Sequence, residues 1–170
     1  MREGATPTGV AFCDPPEGQP QPVLTLGLIR SAFAELRLPA GALVIQPPDG
    51  TTLVNFDTNF YTSATAPLTR TVTLLGQRVT LEATPSRYRW EFGDGTVRTT
   101  SEPGSPYPRL DVTHNYLRTG TYRPRLATTY TGRYRVAGGG WRPIPGTVTV
   151  QGAPRPLRAI EARPTLVPYE

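Results

Sequence analysis

The chain has 170 residues, eighteen basic side chains against thirteen acidic ones, a net charge of +5 and a pI near 9.8. That is enough for one domain with attachments, or two small ones, and for a real buried core. No segment approaches the ~20 consecutive apolar residues of a membrane helix, no charged start leads into an apolar signal core, and one cysteine and one histidine leave neither a disulfide framework nor a cysteine-metal spacing.

Residues 1–23 are rich in proline and glycine without periodicity and are expected to form an extended arm. Cys13 lies there, far in sequence from the only histidine, so a cysteine–histidine nucleophile is not expected. Phe12 before it, and the lack of a long apolar run, argue against lipidation. From Leu24 the pattern changes. Leu28, Ile29, Ala32, Phe33 and Leu36 fall on one helical face opposite Arg30, Ser31, Glu35 and Arg37, which predicts an amphipathic helix over 25–37 stopped by Pro39 and Gly41. Its stripe reads as a lid on the domain's own core, or as a docking surface if the helix protrudes. Residues 42–46 and 51–56 read as two strands around the Pro47-Pro48-Asp49-Gly50 turn, a hairpin over 42–56. Leu53-Val54-Asn55-Phe56 reads as an added strand or a ligand-facing loop.

Around Arg70 the alternation sharpens. Val72 and Leu74 alternate with threonines, Gly76-Gln77 supplies a two-residue turn, and Val79, Leu81 and Ala83 resume the alternation, giving a hairpin over 70–83. Pro85 is expected to break the run before Tyr88-Arg89-Trp90-Glu91-Phe92, whose aromatic side chains share a face. Residues 99–108, with three prolines, form a long loop of the kind that carries variable binding functions. Leu110, Val112, His114 and Tyr116 share the next strand face, and Tyr122, Leu126 and Tyr130 continue the pattern after Gly120. Pro124 donates no ladder hydrogen bond, so its strand is expected at an edge or with a bulge. The Gly138-Gly139-Gly140 turn implies another hairpin, 147–150 a closing strand, and the prolines and arginines beyond Gly152 an extended tail.

Every basic residue is arginine, a composition expected from a GC-rich genome. The arginines are scattered along the chain rather than clustered, which reads as solubility charge, with contact to acidic envelope polymers or anionic glycans as the alternative. Nucleic acid is not expected as a partner, because no element gathers basic residues beside a motif or an aromatic platform.

Three elements follow one another in an order too regular for chance: Trp90-Glu91-Phe92-Gly93-Asp94-Gly95, then Thr113-His114-Asn115-Tyr116, then Gly120-Thr121-Tyr122. In that order they resemble the PKD (polycystic kidney disease) family of immunoglobulin-like domains, whose wording runs near W-D-F-G-D-G, T-H-x-Y and G-x-Y. The resemblance spans 65–150 and implies a mainly β, immunoglobulin-like antiparallel β-sandwich. Residues 1–64 then form an N-terminal extension with one amphipathic helix, and 151–170 a Pro/Arg-rich tail, so that both termini are extended. Together with the all-arginine composition, the wording is similar to that of exported actinobacterial proteins.

Within that fold Trp90 is expected between the sheets, where truncation to alanine costs about 3–5 kcal/mol, and Phe92 goes with it. Gly93-Asp94-Gly95 reads as a tight turn whose aspartate accepts backbone N–H groups. A calcium loop needs six to eight oxygen ligands, and only Asp94, Glu91 and Asp111 are near in sequence. The resemblance implies a structural His114, hydrogen-bonded near that turn, with Tyr116 on the same strand; Tyr122 resembles a sandwich-corner tyrosine. Tyr107, Tyr130, Tyr134 and Trp141 are the candidate binding residues, because exposed aromatic rings stack on sugars and anchor interfaces. A hairpin-end Trp141 folded back on its own sheet is the other reading of that residue.

No G-x-S-x-G, H-E-x-x-H or Walker loop occurs. An enzyme is not expected, and a hydrolase would require a pocket holding His114 beside an acid. No metal, cofactor or membrane span is expected. The expected function is that of a noncatalytic extracellular or cell-surface module binding protein or glycan. The alternative is a structural subunit of a surface assembly that uses its Pro-rich arms for self-assembly.

Overall fold

The structure, a computed structural model, describes residues 23–162. The expected arm, with Cys13, and the end of the tail from residue 163 lie outside the described residues.

Two long strands form the spine. β5 (Gln77–Glu91) and β9 (Arg125–Val136) pair antiparallel, with β4 (Leu68–Leu74) and β6 (Val97–Thr100) on the other flank of β5 and β10 (Arg142–Gln151) on the outer side of β9. Alternation sends Val79, Leu81 and Ala83 to one face of this sheet. Unbroken, the same period would send Tyr88, Trp90 and Phe92 to the opposite face. The register shifts between Pro85 and Arg87, leaving Ser86 without a partner in β9. That one extra residue restores the parity, and all six side chains end on one side, each no more than 3% exposed.

Pro85, expected to end the run, therefore lies within the strand. β4 pairs only as far as Ala83 and β6 begins at Tyr88, so one flank of β5 is open at Pro85 and little ladder is lost.

The Tyr88–Phe92 half of this face is covered by two three-stranded sheets. One contains β1 (Leu43–Gln46), β3 (Asp57–Thr62) and β7 (Thr113–Asn115); the other β2 (Thr51–Leu53), β11 (Leu157–Ile160) and β8 (Gly120–Tyr122). Leu43, Ile45, Phe60, Val112, Tyr116 and Leu157 meet Tyr88, Trp90 and Phe92 between the layers. This is the expected mainly β, immunoglobulin-like antiparallel sandwich with one short helix; the single parallel pair is β2 with β11.

The Val79–Ala83 half is covered by α1 (Leu26–Ala34), whose Thr25 cap accepts from the Leu28 N–H through Oγ1. Ile29 and Phe33 are buried against Tyr130, Tyr134 and Ile144. Gly132 makes the seat: a Cβ there would stand 2.6 Å from the Phe33 ring. The helix is shorter than 25–37, with Glu35 as its C-cap, and Leu28, assigned to the buried stripe, is 40% exposed.

Other expectations shift with pairing. Residues 42–56 do not form a hairpin: β1 pairs with β3 and β2 with β11, so the two strands enter different small sheets. The β4–β5 turn is Leu75-Gly76, both at positive φ, one residue earlier than Gly76-Gln77. Pro124 is neither at an edge nor in a bulge; it lies between β8 and β9, where the chain crosses from one layer to the other. Part of the tail, Leu157–Ile160, is paired as β11, with Leu157 and Ala159 buried. Along the β10 edge, Pro143 precedes and Pro145 lies within a register shift between Ile144 and Thr147.

Phe33→Ala is expected to cost about 3–5 kcal/mol of unfolding free energy, read as a lowered denaturant midpoint. An unchanged midpoint would mean that α1 does not close this half of the core in solution.

Candidate functional site

The motif residues assemble into one network at the end of the sandwich. Gly93 and Gly95 hold positive φ, and a Cβ on Gly93 would stand 2.6 Å from the Arg123 nitrogen, so the turn lies flat on the β8–β9 crossover. Asp94 accepts the Thr96 N–H through Oδ1 at 2.9 Å and meets His114 Nε2 through Oδ2 at 2.6 Å. Phe92 stacks on the imidazole at 4.2 Å, nearly parallel, and Tyr116 meets its edge at 4.9 Å. Tyr116 donates its hydroxyl to Phe92 O at 2.8 Å, and Tyr122 donates to Arg118 O at 2.9 Å. Burial works to raise the Asp94 carboxyl, but the Thr96 and His114 hydrogen bonds outweigh it and hold the carboxyl below its ordinary value. Burial pushes the Tyr116 hydroxyl up.

Trp90 is 1% exposed and donates Nε1 to Thr100 Oγ1. Glu91 is engaged by Arg125 and Arg89; the hydrogen bond from Arg125 is the main reason its carboxyl titrates low. Asp94, Glu91 and Asp111 are not brought together, and among the described residues no group of three His, Cys, Asp or Glu side chains is placed to hold a metal ion.

The candidate binding aromatics separate. Tyr130 and Tyr134 were expected as exposed rings but lie beneath α1, at 1% and 9% exposure, because even-numbered positions of β9 face the core. The Tyr130 hydroxyl donates to Pro39 O at 2.7 Å and pins the segment after the helix. Trp141 is half-buried against the sheet's own arginines, with the Arg133 and Arg135 guanidinium carbons 4.6 and 4.8 Å from its ring centroid. Tyr107 is 75% exposed.

Tyr107 belongs to a groove of about 640 Å³ on the outer surface of β3, between the 101–112 loop and the turn after β2. Phe56 and Leu110 are its other exposed apolar walls. Asn59 forms part of its lining and is itself 2% exposed. Its Nδ2 donates to Gln46 Oε1 at 2.9 Å and to Ser105 O at 2.8 Å, while Oδ1 has no hydrogen-bond partner among the described residues. Gln46 Oε1 also accepts the Tyr107 N–H, so one amide ties the loop to the sheet. Asn55, Asp57 and Asn115 add polar groups to the rim. Asn59 and Gln46 carried no signal in sequence beyond alternation, because their importance arises from the loop that folds over them. Phe56 stood in the segment read as a strand or a ligand-facing loop, and it lies in the turn.

A two-layer antiparallel sandwich stabilised by a Gly-Asp-Gly turn, a stacked histidine and a corner tyrosine defines an immunoglobulin-like module. Residues 59–128, from within β3 into β9, match the PKD domain family. No curated protein and no solved structure shows significant similarity to the chain, and the likeness to actinobacterial exported proteins finds no support there.

His114→Ala is expected to lower stability by about 1–3 kcal/mol. Asp94 contributes stability that is fully present above its unfolded pKa of about 3.9 and is lost as pH falls through the lower folded value. Asp94→Asn should therefore flatten the loss of stability on acidification below about pH 4, as read from denaturant midpoints. Parallel pH profiles for the two proteins would remove the Asp94–His114 contact from the account.

Proposed function

We propose that the chain is a noncatalytic extracellular or cell-surface interaction module that binds a glycan in the groove walled by Phe56, Tyr107 and Leu110. PKD domains are in general noncatalytic interaction modules, and no helix among the described residues is long and apolar enough to cross a membrane. The observation that carries the reading is the pairing of exposed rings with an amide-rich rim. Aromatic faces stack on the apolar faces of sugar rings, and the amides of Asn55 and Asn115 both donate to and accept from hydroxyls. A protein segment would use the same rings. The amide-rich rim favours the glycan, because its donors and acceptors match ring hydroxyls rather than apolar side chains.

His114 and Asp94 form a pair, yet Phe92 stacks on the imidazole and Tyr116 closes on its edge, an arrangement that suits scaffold better than proton transfer. The competing reading, assembly through the Pro-rich arms, gains nothing from residues 157–160, which pair within the chain's own sheet.

Calorimetry against neutral β-glucan and mannan oligosaccharides tests the proposal. Tyr107→Ala and Phe56→Ala should each weaken binding about tenfold or more, the loss of one anchoring ring being worth about 2 kcal/mol. Binding that survives the double variant, or no binding to any oligosaccharide, would overturn it.

A further inference from the structure

The strand register does to the arginines what the order of residues along the chain does not. On the face of the large sheet opposite the two cores, β5 presents Arg78, Arg87 and Arg89 and β9 presents Arg125, Arg133 and Arg135. Among the described residues, the only acids on this face are Glu82 and Glu91. Arg133 pairs with Glu82 at 2.6 Å, while Arg89 and Arg125 share Glu91. Six arginines against two glutamates leave four positive charges in excess, most of the +5 carried by the whole chain. Arg78, Arg87 and Arg135 have no acidic partner among the described residues, and the Arg135 Nε is buried without a hydrogen-bond partner there. Trp141 holds Arg133 and Arg135 side by side, fixing like charges that would otherwise spread apart.

Much of the rest of the face is threonine, with Val97, Ala127, Pro143 and Gln151 toward its margins and its Arg89 end. Thr84, Thr131 and Thr147 stand between the Arg133–Arg135 end and the Arg87–Arg125 end, Thr129 and Thr149 extend the row of Arg87, and Thr71 and Thr80 continue the hydroxyls across β4 and β5. Ten residue steps of about 3.3 Å along β9 separate Arg125 from Arg135 by roughly 30 Å.

We propose that this face binds a linear acidic polysaccharide, whose carboxylates or sulfates meet the two arginine clusters and whose hydroxyls meet the threonines between them. The site is separate from the groove at Phe56 and Tyr107 and does not depend on it. Charge complementarity selects a polyanion, and the remaining chemistry selects among polyanions. A four-stranded sheet is roughly 14 Å wide before side chains are added, too broad for the ~12 Å major groove of duplex DNA. Single-stranded nucleic acid is held by aromatic platforms on sheet faces, and here the central positions are threonine.

The test is binding of the full chain to polygalacturonate by calorimetry at about 50 and 200 mM salt, with neutral dextran and duplex DNA as comparators. The wild type should bind polygalacturonate, more weakly at higher salt, and ignore dextran. Arg78→Gln/Arg87→Gln/Arg135→Gln should weaken binding tenfold or more and flatten the salt dependence. Arg30→Gln/Arg37→Gln, on and just after the helix at the opposite face, should change it less than twofold. Should the triple variant fold poorly, Arg87→Gln alone removes an exposed, acid-free arginine, and Thr131→Glu sets a carboxylate at the centre of the face with every arginine kept; each should weaken binding. Equal losses from the two multiple variants, duplex DNA bound as tightly as polygalacturonate, or no binding at the lower salt would each overturn the proposal.

Discussion

One unpaired residue governs this molecule. Ser86 bulges from β5 against β9, and by shifting the side-chain parity once it lets a fifteen-residue strand keep a single apolar face. Without it, Val79–Ala83 and Tyr88–Phe92 would face opposite ways, and neither the helix nor the two small sheets could close over one side. The bulge also allows the other face to be largely polar, so the alternation that builds the core is what lines up arginine and threonine outside.

The residues that identify the fold are scaffold in their geometry. Phe92, Asp94, His114, Tyr116 and Tyr122 spend their polar groups on one another or on nearby backbone, which fixes the turn against the β8–β9 crossover. The surfaces with unspent polar capacity lie elsewhere. The Phe56–Tyr107 groove carries the rim amides of Asn55 and Asn115, and Arg78, Arg87 and Arg135 keep unneutralised charge on the open sheet.

The sandwich was legible because its motifs are local: a Gly-Asp-Gly turn, a Thr-His-x-Tyr strand and alternating apolar residues declare themselves within a few positions. What escaped was set by register. Pro85 looked like a stop because proline is costly in a central strand, and only the gap between β4 and β6 removes that cost. Tyr130 and Tyr134 looked like candidate surface rings because aromatic type does not reveal which face of β9 they share. The arginines looked scattered because neighbours across a ladder, such as Arg125 and Glu91, stand far apart along the chain. Asn59 could not be singled out, since its burial depends on a loop more than forty residues away.

The prolines of β10 carry a consequence for how such modules coexist at high local concentration. An exposed strand edge is a template on which a second copy can add its own strand, the first step of sheet-to-sheet polymerisation. Pro143 and Pro145 remove two donors from the first half of that edge, and the irregularity before Thr147 breaks the spacing of those that remain. An incoming strand meets a discontinuous ladder there, so crowded copies can lie alongside one another on this flank without fusing into a common sheet.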